Sequence, residues 1–223
     1  MADFDKRTHR LSLADLRENY GLARLTEQNC QASPIVQFEN WIKDAERAGL
    51  QLPNAMVLST ATTCGQPSAR VVLLKDVSDL GFVFYTNYTS RKALELESNP
   101  FASLTFYWPE LERQVRVEGR VQRTARQLSE AYFRSRPKGS RLGAWASRQS
   151  QPLPGREPLD ARLKELERIY ADTDDIPVPE FWGGYCLMPG VIEFWQGRPN
   201  RLHDRLQYRR NSEQNWIVER LSP

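Results

Sequence analysis

The sequence predicts an α+β fold in which antiparallel β-strands dominate and close into a barrel, with helices set around it. Short β-branched and aromatic runs recur at close spacing from Ala55 to Leu221. One of them, from Gln114 to Gln122, alternates apolar and polar side chains almost without a break. Between the runs lie segments whose apolar residues recur at helical spacing. Sheet and helix therefore interleave, and no internal repeat, heptad or low-complexity tract is present.

Residues 1–15 carry no sustained period and are expected to be disordered, leaving 16–223 as a single domain. Leu16 to Leu25 reads as a short helix or a lid-like arm. Val36, Phe38, Trp41, Ile42 and Ala45 mark a helix that begins at Pro34 and stops at Gly49. Ala55 to Ala61 is a strand, and Thr63 to Pro67 a turn that leads into a hairpin. Val71–Leu74 and Phe82–Tyr85 then read as strand, turn and strand.

A short helix follows at 91–98, bounded by Asn99-Pro100. Ala102 to Trp108 is the next strand. Beyond it Val115, Val117 and Val121 face one way, while Gln114, Arg116, Glu118, Arg120 and Gln122 face the other. Thr124 and Gln127 have the spacing of a capping box, and the helix they open ends before Pro137. Residues 137–158 read as loop, and Leu159, Leu163, Leu166 and Ile169 as a further helix. After the break at Pro177-Val178-Pro179, strands are predicted at 185–188, 191–195, 201–208 and 216–221, with a polar turn at 211–215.

At 223 residues, 40% hydrophobic and 26% charged, the chain has the make-up of an ordinary globular domain. No apolar run approaches the roughly 20 residues needed to cross a bilayer. The polar start lacks a secretory h-region, which predicts a cytoplasmic location. Three scattered cysteines, Cys30, Cys64 and Cys186, suit a reducing compartment. With only His9 and His203 beside them, no metal site is expected. Net charge is +3, too small for a nucleic-acid tail. Of the 31 cationic residues 25 are arginine, whose planar fork suits bidentate phosphate recognition.

Three clusters could carry chemistry. Arg91 and Lys92 lie in the first turn of a helix, where the dipole disfavours cations and free amides attract anions, so a phosphate site is one reading and a solvated pair the other. Helical spacing places Tyr132 and Arg136 on one face with Ser140 just beyond, either a small phosphate clamp or an ordinary amphipathic surface. Period two puts Arg201, His203 and Arg205 on one strand face, which calls for something anionic over them or for a wet, screened exterior. Ser147 to Ser150, Gln114 and Trp195 give no strong signal alone. There is no GxGxxG, GxxxxGK[ST] or GxSxG motif.

Taken together, RVVLLK at 70–75, FYTNYTSRK at 84–92, ERQVRVEG at 112–119, YFRSRP at 132–137, GAWASRQS at 143–150, FWGG at 181–184, IEFWQG at 192–197 and RLHDR at 201–205 closely resemble the pyridoxamine 5′-phosphate oxidase family. The resemblance runs in order from about Leu16 to the end. It implies an FMN-binding split β-barrel with peripheral helices, acting as a homodimer with FMN at the subunit interface. It also implies oxidation of pyridoxine 5′-phosphate and pyridoxamine 5′-phosphate to pyridoxal 5′-phosphate, with O2 as acceptor, H2O2 as product and ammonia released from the amine, as part of vitamin B6 cofactor synthesis and salvage.

By the same resemblance Arg70, Arg91 and Lys92 hold the FMN phosphate, and Val71, Val72, Leu73, Leu74 and Lys75 run beside the flavin. Tyr85, Thr86, Gln114, Trp195 and Arg205 add contacts, with Gln149 and Ser150 joining across the interface. Lys75, Tyr132, Arg136 and Ser140 form the substrate-phosphate clamp. Arg201 and His203 are the catalytic pair over the substrate ring, with Leu202 between them and Arg17 and Tyr20 from the N-terminal arm. After Tyr20 the chain reads GLARL where the family often has a Gly-Gly pair. Strand parity sends Arg70 and Lys75 to opposite faces, so a bend or two separate ligands must reconcile them. Alternative readings are a flavin reductase or other split-barrel oxidoreductase, and a non-catalytic binder of flavin or nucleic acid.

Overall fold

The computed structural model describes residues 20–223. The expected disorder of 1–15, the first part of the arm and Arg17 lie outside the described residues. Ser33 caps α1 (Pro34–Arg47) by accepting from the Val36 amide, and Gly49, with φ +74°, follows its end. The hairpin of β1 (Ala55–Ala61) and β2 (Pro67–Leu73) comes next, then β3 (Asp76–Ser78), β4 (Gly81–Asn87), α2 (Arg91–Ser98) and β5 (Phe101–Trp108). β6 (Arg113–Arg123), α3 (Arg126–Ser135), α4 (Lys138–Ala146), α5 (Glu157–Ile169), β7 (Trp182–Gln196), β8 (Asp204–Arg210) and β9 (Trp216–Arg220) complete the chain.

The nine strands of the described residues join one antiparallel sheet with the path β2-β1-β5-β6-β7-β4-β3, β8 and β9 continuing off it from β7. The two ends of that path, β2 and β3, are separated in the chain only by Leu74 and Lys75, so the sheet has to curl on itself. It also forks. The first part of β7 pairs β4 from Trp182 to Leu187, and the last part pairs β8 from Val191 to Gln196. The fork falls at Pro189-Gly190, opposite a register shift at Glu118/Gly119 in β6. This is the mainly antiparallel split barrel that the sequence predicts.

α1 closes the barrel with its apolar face. Phe38 packs edge-on against Phe82 at 5.0 Å and against Phe106 at 4.9 Å, and Trp41 meets Phe194 at 5.1 Å. Val115, Val117 and Val121 point into this core, in the phase their alternation predicts. A second, smaller core of Phe133, Leu142, Leu166, Ile176 and Trp182 joins α3, α4 and α5 to the start of β7. Among the described residues no helix is long and apolar enough to cross a membrane.

Four local expectations need correction. Residues 137–158 are not all loop: α4 forms despite Gly139 and Gly143, with Pro137 at its N-cap. The strands predicted at 185–188 and 191–195 are one, because Pro189 sits at the bulge, where a missing N–H breaks no regular ladder. Thr124 does not cap α3; its hydroxyl meets that of Ser129 at 3.1 Å. Arg201 and His203 precede β8 rather than lying on a strand with Arg205, Arg201 being in a 3-10 turn, Pro199–Arg201.

Candidate active site

Where the curl brings β2 beside β4, a cavity of about 690 Å³ opens, a size that holds small-molecule ligands. Its lining combines two groups that are far apart in sequence. Arg70, Thr86, Lys92 and Gln149 stand in one, and Lys75, Tyr132, Arg136 and Ser140 in the other. No carboxylate lines the cavity among the described residues.

The first group forms where α2 starts beneath β4. Lys92 is buried, and its Nζ donates to Gln149 Oε1 at 2.8 Å, Thr86 Oγ1 at 3.2 Å and Ser90 Oγ at 3.4 Å. All three acceptors are neutral. Burial, with Arg70 nearby, lowers its pKa from the usual 10.5 to about 8. An ammonium so enclosed and without a carboxylate fits an anion from outside the chain. Arg70 is differently placed: its Nη1 donates to Thr60 Oγ1 at 2.6 Å and Leu58 O at 3.2 Å, and its Nη2 to Ser68 and, at 3.5 Å, to Glu95.

The second group stands on α3 and its C-cap, on α4 and on the bend after β2. Tyr85 and Tyr132 stack at 4.1 Å, and Tyr85 and Trp182 lie nearly parallel at 5.4 Å, making one aromatic wall. Arg136 lies over Trp182 at 4.9 Å and Lys75 over Tyr132 at 5.9 Å. Among the described residues Arg136 Nη1 is buried without a hydrogen-bond partner, and burial lowers this guanidinium's pKa. A donor left unpaired in this way is costly unless a ligand meets it.

Against this geometry, comparison with known proteins is specific. The family model described as pyridoxamine 5′-phosphate oxidase matches residues 42–170. The model of the pyridoxine 5′-phosphate oxidase C-terminal dimerisation region matches 182–223. The chain belongs to the pyridoxamine 5′-phosphate oxidase family. A relative named pyridoxine/pyridoxamine 5′-phosphate oxidase from Rubrobacter xylanophilus is 57% identical over 214 residues, 96% of this chain and 98% of that one. Its namesake from Paraburkholderia xenovorans is 54% identical over 213 residues, 95% and 99% of the two chains. Among solved structures, PhzG from Burkholderia lata in complex with tetrahydrophenazine-1-carboxylic acid superposes with a TM-score of 0.85 at 31% identity, covering 91% of this chain and 99% of that one. An FMN-binding, pyridoxamine 5′-phosphate oxidase-related protein from Nostoc punctiforme shares the fold, with a TM-score of 0.69 at 18% identity over 86% and 100% of the chains.

In this member of the pyridoxamine 5′-phosphate oxidase family, other residues singled out from the sequence stand elsewhere. Arg91 turns outward onto Glu95 at 2.8 Å and does not line the cavity. Leu74 is buried in the core, and Ser150 is exposed, with φ 70°, while its neighbour Gln149 reaches Lys92 and Thr86 of its own chain. Val71, Val72 and Leu73 line the cavity as a strip of β2.

A further group gathers at the end of β7, with none of its members lining the cavity. Across the sheet, Gln114 pairs with Trp195, and Trp195 with Arg205. The ring of His203 lies 4.6 Å from that of Trp195, and Tyr20 packs edge-on against both. His203 Nδ1 accepts the Arg198 amide at 3.1 Å, leaving the ring proton on Nε2. Burial and then Arg201 lower its pKa, so the ring is neutral at pH 7. Arg201 and Leu202 are exposed, Arg201 with φ 60°. Arg205 is not the uncompensated cation its period suggests: it forks onto buried Glu193 at 2.7 and 3.1 Å.

Sequence reasoning missed Trp182, Asn87, Pro137, Gly143 and Ala144 as lining residues. The signal was in the glycine pair after Trp182. A Cβ on Gly184 would stand 2.8 Å from Tyr85 Cε1, and one on Gly183 2.1 Å from the Tyr88 hydroxyl. Gly184 thus lets Tyr85, and with it the aromatic wall, stand so close to β7, and Gly183 does the same for Tyr88.

Proposed function

We propose that the protein is an FMN-dependent oxidase that converts pyridoxine 5′-phosphate and pyridoxamine 5′-phosphate to pyridoxal 5′-phosphate. In this reading O2 is the electron acceptor and H2O2 the product, with ammonia also released from the amine. The observation that carries it is the pair of cation-and-hydroxyl groups in one cavity that no carboxylate of the described residues lines, since cofactor and substrate each bear a phosphate ester. Buried Lys92 with neutral partners and the unpaired Nη1 of Arg136 fit those two phosphates.

Lys92, Thr86, Gln149 and Arg70 would hold the FMN phosphate, and Arg136, Lys75, Tyr132 and Ser140 that of the substrate. When bound, the flavin supplies two-electron acceptance from the substrate's 4′ carbon and reoxidation by O2. The chain's own task is placement: a substrate tethered by its phosphate beside the aromatic wall has little freedom left to lose.

The protein acts in this reading as a homodimer with the cofactor at the interface, in the cytoplasm. The C-terminal match to a dimerisation region supports it. So does the group around Trp195 and His203, which lines no part of its own chain's cavity. Val57 and Val71, paired across β1 and β2, are also exposed, and Val71 lines the cavity. A second copy seated there would carry its Arg201 and neutral His203 to the substrate ring, Arg201 steadying negative charge and His203 donating from Nε2.

The test is direct. Purified protein is expected to be yellow, its flavin to bleach on anaerobic addition of pyridoxine 5′-phosphate, and peroxide to form in air. Colourless protein, or colour with no bleaching, would overturn the proposal.

A further inference from the structure

Behind the cavity wall lies a carboxylate that the reaction does not need. Glu95, on α2, is buried, its side chain 6% exposed. Its Oε1 accepts from Arg91 Nε at 2.8 Å. Its Oε2 accepts from the Thr60 hydroxyl, from Ser68 Oγ at 2.5 Å and from Arg70 Nη2 at 3.5 Å. Burial pushes this carboxyl up, but the hydrogen bonds from Ser68, Thr60 and Arg91 outweigh that and hold it at about 2. It is therefore charged at any pH where the protein works.

The direction of these bonds is fixed. A guanidinium only donates and an ionised carboxylate only accepts. Thr60 and Ser68 must then accept from Arg70 and donate to Glu95. The Nη hydrogens of Arg70 are distributed among Leu58 O, Thr60, Ser68 and Glu95, so a phosphate that engages them has to displace an internal partner. Lys92 has no carboxylate partner among the described residues.

We propose that Glu95 is a built-in competitor for the cofactor's phosphate, holding Arg70 and Arg91 so that affinity stays below what the three cations would otherwise give. This rests on the FMN reading above. Two opposing effects would follow its neutralisation. The arginines lose some ordering, yet Arg70 keeps Leu58 O, Thr60 and Ser68. Meanwhile a buried negative charge, poorly screened, stops repelling a dianion. The second effect is the larger.

The test compares the wild-type protein with Glu95→Gln and Glu97→Gln, using flavin-fluorescence quenching with FMN and with riboflavin, which lacks the phosphate. Glu97 is on the same helix but pairs with Arg123 and Tyr185, and lines no part of the cavity. Glu95→Gln is expected to bind FMN about tenfold more tightly, with riboflavin unchanged and Glu97→Gln close to wild type. Equal or weaker FMN binding by Glu95→Gln overturns the proposal, and so does an equal gain for riboflavin. If the amide does not fold, Glu95→Met takes its place with the same expectation. Wild-type protein that binds neither flavin would overturn the FMN reading itself. In that event heat protection by inorganic phosphate, larger in Glu95→Gln than in wild type, still reads the role of Glu95, and equal protection refutes it.

Discussion

Arg70 and Lys75 line the same cavity although strict alternation along one strand would put them on opposite faces. The strand does not continue: β2 ends at Leu73 and β3 starts at Asp76, with Leu74 turned into the core between them. Asn54 holds this bend from both sides. Its carbonyl accepts the Leu74 amide at 2.9 Å, and its side chain donates to Leu74 O at 2.9 Å. Asn54→Ala is expected to cost about 1 kcal/mol in stability and to raise KM for pyridoxine 5′-phosphate several-fold through Lys75, with FMN retention little changed. Thermal unfolding and steady-state kinetics check this, and an unchanged KM would count against the bend as the device that aims Lys75.

Arg136 should show the opposite balance of stability and function. Its Nη1 is buried without a partner among the described residues, so the free protein bears the cost of enclosing this charge. Arg136→Met keeps the contact with Trp182 and removes the cost. Its unfolding midpoint is expected to match or exceed that of wild type, while KM for the phosphorylated substrate rises about tenfold to hundredfold from the lost charge-assisted bond. A variant that loses stability but keeps its KM would place Arg136 in the scaffold instead.

These residues also mark how far the sequence could be read. The limits of β1 and α2 follow from local pattern, since Ala55–Ala61 alternates on a half-buried sheet and Asn99-Pro100 ends a helix. That Tyr132 and Arg136 line one cavity follows from helical spacing, because they lie on one short helix and its end. What stayed hidden depends on distant partners. Glu193 neutralises Arg205 from a neighbouring strand, and nothing close in sequence announces it; the Arg91–Glu95 pair, by contrast, has the i,i+4 spacing of one helix and was legible in the sequence. α4 was masked by glycines that propensity disfavours; it is held instead by tertiary bonds, Trp145 Nε1 to Pro177 O at 2.8 Å and Arg141 Nη1 to Asp174 O at 2.6 Å.

Lys92 predicts a pH dependence with a definite sign. Its pKa in the folded chain, about 8, lies below the 10.5 of a free lysine. Between those values the unfolded chain binds more protons, so stability of the flavin-free protein should rise as pH increases from about 8 towards 10.5. Phosphate binding favours the charged form, so FMN affinity should fall as pH rises through about 8, with proton uptake on binding near that pH. Riboflavin should show no such fall. Lys92→Met is expected to abolish the dependence and to lose FMN far more readily than Arg91→Ala, whose side chain is 58% exposed. Equal losses from both variants would restore Arg91 to the phosphate site.

Gly197 tests whether the group around His203 matters to turnover. A Cβ there would stand 2.8 Å from both Cβ and Cγ of Tyr20 and 2.9 Å from Glu112 Cβ. Tyr20 cannot yield by a simple rotation, because the clash is at its Cβ and the next two amides, of Gly21 and Leu22, are tied to Glu112 Oε2 at 2.8 and 3.0 Å. Gly197→Ala must therefore shift the arm and take the Tyr20 ring from its edge-on contacts with Trp195 and His203. Tyr20 is only half-buried and outside the barrel core, so the unfolding midpoint should move little. A misplacement of this kind beside reacting groups is expected to lower kcat/KM about tenfold to hundredfold. FMN affinity should hold, since Lys92, Thr86 and Gln149 lie in the separate cavity. Unaltered kinetics in a folded Gly197→Ala protein would remove Tyr20 and its stacking partners from the catalytic assembly.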